Sequence, residues 1–280
     1  MDGLRLWSST WLRRAGSMAV AWILLWLSGC AVTTPGGVPI DTRYEAKGQD
    51  SRALFLILHY TVLDFPKSLK VLTQQEVSSH YLVSDENPPK IYRLVPEERR
   101  AWHAGPSFWK GNAMLNAGSI GIEIVNPGWV DTPEGRVYAP YPEAQINTLL
   151  PLVKDIVKRH QILPERVLGH SDIAPTRKQD PGPLFPWKRL ADEGLILWPD
   201  ANKVAEHRQT FESELPGIGW FQRALSRHGF QVPETGQLDD VTRSALSAFQ
   251  MKYRNARYDG LPDAETAALL QVLTQPSKKP

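Results

Sequence analysis

The chain has 280 residues, 42% hydrophobic and 22% charged. These proportions exclude global disorder and leave room for one medium domain plus a small one. A formal net charge of +2 excludes the strong basic field of a nucleic-acid binder, so no nucleic-acid partner is expected, and Cys30, the only cysteine, excludes an intramolecular disulfide.

Arg5, Arg13 and Arg14 form a basic leader, and residues 18–27 are an apolar run too short for a comfortable membrane span. Leu27-Ser28-Gly29-Cys30 follows and reads as a lipobox. Residues 1–29 are therefore expected to be a signal peptide, and Cys30 the acylated first residue of the mature chain. Without that leader the chain is charge-neutral, because Asp2 leaves with the three arginines. Each buried lipid methylene adds about 0.8 kcal/mol to anchoring. Ala31, next to the cysteine, suits an outer-membrane passenger. The expected location is thus the outer membrane, held by the N-terminal lipid and facing the periplasm.

Residues 30–50 are rich in Thr, Pro and Gly and read as a tether. Residues 53–58 are continuously apolar and predict a strand buried on both faces, ending at His59. From Ser119 to Val125 the pattern alternates: Ile120, Ile122 and Ile124 share one face, and Glu123 lies on the other beside Gly121. Residues 143–160 carry apolar side chains at helical spacing, with Pro142 suited to the first helical position and Pro151 expected to kink or restart the helix. Residues 167–169 are a short extended entry to His170. Strands alternating with helices predict an α/β or α+β catalytic domain over residues 51–200.

A charged stretch, residues 202–214, leads to a second unit, residues 210–275. A short helix there stops at Gly229. An internal echo follows, in which Gly236, Asp239, Thr242 and Leu246 correspond to Gly260, Asp263, Thr266 and Leu270. Each copy places an Asp to cap a helix and then an apolar stripe, which predicts a small three-helix module. It is expected to be dispensable for chemistry.

Among seven histidines, His59 and His170 stand at strand ends, where side chains enter clefts. Asp180 lies in a loop braced by Pro175 and Pro181-Gly182. Two neutral imidazoles, one carboxylate and a water make a four-coordinate catalytic zinc site. Spacing alone leaves His80 and His103 as competing ligands.

Five segments carry a family resemblance: His59-Tyr60-Thr61; Ser79-His80-Tyr81-Leu82-Val83; Ala101-Trp102-His103-Ala104-Gly105; Ser119-Ile120-Gly121-Ile122-Glu123; and residues 170–187, which contain Asp180-Pro181-Gly182-Pro183-Leu184-Phe185-Pro186-Trp187. In this order they resemble the type 2 N-acetylmuramoyl-L-alanine amidases. The resemblance implies a mixed central β-sheet flanked by helices, a fold shared with peptidoglycan recognition proteins. It implies one zinc ion per chain on His59, His170 and Asp180, with Glu123 assisting the attacking water and Lys178 stabilising the oxyanion. His103 and Tyr60 become candidate substrate contacts, and peptidoglycan and muropeptides the expected partners. The segment 236–250 looks like a three-helix peptidoglycan-binding module. Two alternatives stand beside this reading. A zinc peptidase acting on wall peptides usually has a short His-to-Asp ligand motif, absent here. A non-catalytic recognition protein commonly lacks a zinc ligand, whereas all three candidates are present.

Overall fold

The computed structural model describes residues 31–133 and 135–275. Cys30 and the leader lie outside the described residues. The chain divides into two compact units after Asp50. In the first, β1 (Ala31–Thr33) pairs antiparallel with β2 (Pro39–Asp41). The turn between them closes through Gly37 N–H donating to Thr34 O at 2.8 Å, with Gly37 at φ +81°. The segment expected to be a plain tether thus contains a small exposed hairpin.

The second unit begins with β3 (Phe55–Tyr60), α1 (Phe65–Gln74), β4 (Tyr81–Val83), β5 (Ile91–Arg93) and a small hairpin, β6 (Phe108–Trp109) and β7 (Asn112–Ala113). It continues with β8 (Ser119–Ile124), a second hairpin of β9 (Trp129–Thr132) and β10 (Gly135–Tyr138), α2 (Glu143–His160), β11 (Val167–Gly169), α3 (His170–Ile173) and α4 (Trp187–Asp192). Four helices close it: α5 (Ala201–Ser213), α6 (Ile218–His228), α7 (Asp240–Tyr253) and α8 (Ala264–Thr274). The central sheet has the order β11-β3-β8-β4-β5. All neighbours are parallel except the β4–β5 edge pair, so the sheet is mixed.

Every residue of β3 is buried, as a central strand covered on both faces requires. On one face Leu56, Leu58, Ile120, Ile122, Ile124 and Val167 pack under Ile146, Leu149, Val153 and Ile156 of α2. Full burial of such side chains contributes about 1.5–3 kcal/mol each. α2 runs unbroken through Pro151 rather than restarting there. That proline lies on the exposed side of the helix. Pro142 is the N-cap rather than the first helical residue.

The opposite face, with Phe55, Ile57 and Leu168, shares a single buried cluster with Phe221, Leu225, Phe230, Leu246 and Phe249 of the C-terminal helices. The catalytic sheet and the helical module therefore have a common core. A buried ion pair fastens them: Lys252 Nζ of α7 donates to Asp172 Oδ2 of α3 at 2.7 Å and to Val167 O at 3.2 Å. The ammonium also sits 4.4 Å from the centroid of the Trp187 ring.

Within the module the sequence echo is a hydrogen-bond echo. Asp239 accepts from Thr242 N–H and Asp263 from Thr266 N–H, each at 2.8 Å. Gly236 and Gly260 both take φ +72°, and each donates its N–H to a glutamine, Gln222 Oε1 or Gln250 Oε1, at 2.9 Å. The charged stretch before the module is helical. α5, capped by Asp200, rests Val204 and Phe211 against the common core.

Candidate active site

The Phe55–Ile57–Leu168 face of the sheet becomes polar at the carboxyl ends of its strands, where α/β sheets usually bind ligands. His59 is the fifth residue of β3, and its register partner on β8 is Glu123. His170 follows β11 and opens α3. Asp180 returns from the following loop, its carbonyl accepting from Ser171 N–H at 2.9 Å.

These placements bring three donor atoms together. His59 Nδ1 and His170 Nδ1 are 3.0 Å apart, and Asp180 Oδ2 lies 3.0 Å from the first and 3.1 Å from the second. All three residues are buried. A tetrahedron of zinc bonds of about 2.0–2.1 Å has edges of about 3.3 Å, close to this triangle. The donor set, two imidazoles and a carboxylate, is also one that zinc takes. The residues present therefore fit a zinc ion.

The charge state fits as well. Burial and the neighbouring His170 push His59 down to about 4, so its ring is neutral at physiological pH. Burial alone would raise the Asp180 carboxyl, but His170 and His59 outweigh it and hold it well below the usual range. His170 Nε2–H donates to Ala104 O at 3.1 Å, which leaves the Nδ1 lone pair facing inward. Arg177 donates to the same carbonyl at 2.8 Å.

Glu123 lies on the cleft side of β8, away from the isoleucines. Its Oε2 is buried with no hydrogen-bond partner among the described residues. Burial, and next the charge of Asp180, raise its carboxyl well above the ordinary value; Lys178 acts in the opposite direction. Lys178 lines the same cleft of about 560 Å³ as Tyr60, His103, Glu123, His170 and Asp180. Tyr60 packs against Trp129 with ring centroids 6.0 Å apart, and its hydroxyl is buried without a partner among the described residues.

The two other motif histidines are accounted for differently. His80 is buried, accepts from Gly121 N–H at Nδ1 (3.0 Å) and donates through Nε2 to Arg99 O (3.1 Å). It is a structural residue outside the ligand triangle. His103 touches the cleft, but both its ring nitrogens are engaged within the protein. Nδ1 lies 3.0 Å from His59 Nε2, and Nε2 lies 3.1 Å from Ser119 Oγ. Gly121 leaves space for this ring, since a Cβ there would lie 2.5 Å from it.

Several residues that line the cleft were given no role by the sequence. Trp102 is half exposed and carries the Arg100 guanidinium 4.1 Å from its ring centroid; Trp129 carries that of Arg136 at 4.5 Å. Both tryptophans line the cleft, as does Ser244 of α7. Flat faces of this kind suit sugar rings, but the count of ten Trp does not say which are surface platforms.

A family profile described as N-acetylmuramoyl-L-alanine amidase matches residues 49–183, and one described as a putative peptidoglycan binding domain matches residues 214–270. The chain is 43% identical over 261 residues to the N-acetylmuramoyl-L-alanine amidase AmiD of Escherichia coli K12, covering 90% of this chain and 94% of that protein. A solved structure of E. coli AmiD, in complex with anhydro-N-acetylmuramic acid-L-Ala-D-gamma-Glu-L-Lys, superposes with a TM-score of 0.77 at 41% identity, over 87% of this chain and 96% of that one. AmpDh3 of Pseudomonas aeruginosa superposes with a TM-score of 0.77 at 40% identity, over 84% and 96%. With this identity along nearly the whole chain, and with the helical module included in the match, the protein belongs to the N-acetylmuramoyl-L-alanine amidase family.

Proposed function

We propose that this chain uses one zinc ion, held by His59 Nδ1, His170 Nδ1 and Asp180 Oδ2, to hydrolyse the amide between the lactyl group of N-acetylmuramic acid and L-alanine. The carrying observation is the triangle of buried donor atoms in one cleft with Glu123, whose Oε2 is buried without a hydrogen-bond partner among the described residues. When bound, zinc supplies Lewis acidity, polarising the amide carbonyl and lowering the pKa of water toward neutrality. Glu123 takes a proton from water as its oxygen adds to the carbonyl carbon. It then passes that proton to the alanine nitrogen as the C–N bond breaks. Lys178, a cation in the same cleft, offsets the negative charge developing on the carbonyl oxygen; a donor of this kind is worth about 3 kcal/mol. Peptidoglycan fragments are the substrate class, a choice supported by the muropeptide complexes of the relatives. The Trp102 and Trp129 faces would carry the sugar end. Residues 210–275 would add affinity for the polymer, in line with the profile match there.

The mature enzyme would begin at acylated Cys30 and work from the outer membrane, facing the periplasm. The support is the basic leader, the short apolar run and Leu27-Ser28-Gly29-Cys30. Among the described residues no helix is long and apolar enough to cross a membrane.

Mass spectrometry of products from a defined muropeptide tests the reaction. The expected products are the free sugar and a peptide with a new L-alanine α-amine, lost on chelation and regained with zinc. Release of amino acids from within the stem peptide would instead make the protein a peptidase, and no product with full zinc occupancy would make it a recognition protein. For the anchor, Cys30→Ser should leave the membrane fraction and lose its acyl mass; a lipid-bearing Cys30→Ser protein overturns it.

A further inference from the structure

The contacts of His103 form a directed line of hydrogen bonds. It ends at Leu115 O, which can only accept. Ser119 Oγ donates its single proton there at 2.7 Å. The same oxygen, 3.1 Å from His103 Nε2, must therefore accept, so His103 carries its proton on Nε2. His103 Nδ1 then offers a lone pair to His59 Nε2 at 3.0 Å, and His59 donates. With its proton on Nε2, His59 presents a bare Nδ1 to Asp180 Oδ2 and His170 Nδ1. The direction at the carbonyl end thus fixes the tautomer at the far end.

The line is built from buried side chains. Ser119 is fully buried, and His103 is 8% exposed. Asn116 Oδ1 accepts from the backbone N–H of both His103 and Ala104, at 3.0 and 2.7 Å, which holds the loop. Gly121 keeps the space the ring occupies. A histidine that binds a metal through one nitrogen usually donates from the other to a carboxylate, a carbonyl or water. Here a second imidazole takes that place.

We propose that His103 is a positioning residue for the metal site, and that Ser119 and the Leu115 carbonyl set, through it, the tautomer in which His59 can ligate zinc. This rests on the zinc reading given above. Its first test reads no activity. Long-range ¹H–¹⁵N spectra of the zinc-loaded wild-type protein should show His103 protonated on Nε2 and bare on Nδ1, with His59 carrying its proton on Nε2. His103 protonated on Nδ1 would overturn the proposal. The second test measures the zinc Kd by chelator competition, with melting curves as a control for folding. His103→Leu should weaken zinc binding by about 10–100-fold, the usual cost of losing such an outer partner. It should also leave His59 in mixed tautomers. His103→Gln, whose side chain offers an acceptor and a donor, should recover most of the affinity. Ser119→Ala, a smaller change should His103→Leu fold poorly, should weaken zinc binding in the same direction. Wild-type zinc affinity in a folded His103→Leu or Ser119→Ala variant sinks the line, whereas absence of zinc binding in the wild type sinks the metal reading itself.

Discussion

A buried carboxyl oxygen without a partner costs about 1–3 kcal/mol, and among the described residues Glu123 Oε2 is such an atom. Because the folded carboxyl titrates above its unfolded value, the folded state keeps a proton that the unfolded state has released. Stability therefore falls as pH rises from the ordinary carboxylate range up to the folded value. Glu123→Gln, which needs no charge, should make the metal-free protein melt higher than the wild type at neutral pH, with the gap closing below about pH 4. The same variant should keep its zinc and lose about two to four orders of magnitude in turnover, as removal of a general base does. Melting curves across pH, zinc analysis and turnover on a muropeptide read all three. Undiminished turnover in a folded, zinc-loaded variant would remove Glu123 from the chemistry. Strand ends and a proline-braced loop mark His59, His170 and Asp180 as candidates and strand alternation marks Glu123, but it is the family resemblance that separates this set from His80 and His103. Ser119, Asn116 and Ser244 were not legible in the sequence, since their parts depend on what the fold brings beside them.

The alternation of β8 was legible for a simple reason. A period of two sends Ile120, Ile122 and Ile124 under α2 and leaves Ser119, Gly121 and Glu123 for the site. What stands opposite Gly121 was not legible, because the His103 ring arrives from another part of the chain. Gly121→Ala should push that ring aside at a cost of about 1–3 kcal/mol of overpacking and weaken zinc binding along with it. Calorimetry and the chelator assay measure the two losses. An unchanged zinc Kd would mean that the ring position does not matter to the metal. Two other elements misled for the same physical reason, that propensity reads local chemistry while exposure is decided globally. Pro151 does not restart α2, and its ring lies on the exposed side of the helix. α5 looked like a charged linker because it buries no residue fully, yet Val204 and Phe211 are enough to dock it.

At the scale of the molecule, the mixed sheet and the helical module were each readable from their own patterns. Their union was not. Apolar residues announce that they are buried without saying against what, and Phe55, Ile57 and Leu168 could have been covered by catalytic-domain helices as well as by α6 and α7. The shared core argues against a catalytic half that folds alone, whatever the module's part in the chemistry. A chain ending near Pro199 would expose that sheet face and leave Asp172 without Lys252; removal of one partner of a buried ion pair usually costs about 3–5 kcal/mol. The truncated protein is expected to be aggregation-prone and to lack a cooperative melting transition. A soluble, cooperatively melting, fully active truncate would show that the shared core is not needed.

The common core also bears on how the chain would behave once its backbone is cut. Residues 214 and 215, which open the connection from α5 to α6, are exposed and fix no core side chain, so they are a natural point of attack for a protease. A nick there would sever covalent continuity, but it would leave Phe221, Leu225, Phe249 and the Lys252–Asp172 pair in place. The two pieces should elute together in size-exclusion chromatography, separate only in denaturant, and retain activity. Such an enzyme is spliced by its interior: recombination could not graft its helices onto another hydrolase as a cassette unless a matching sheet face came with them.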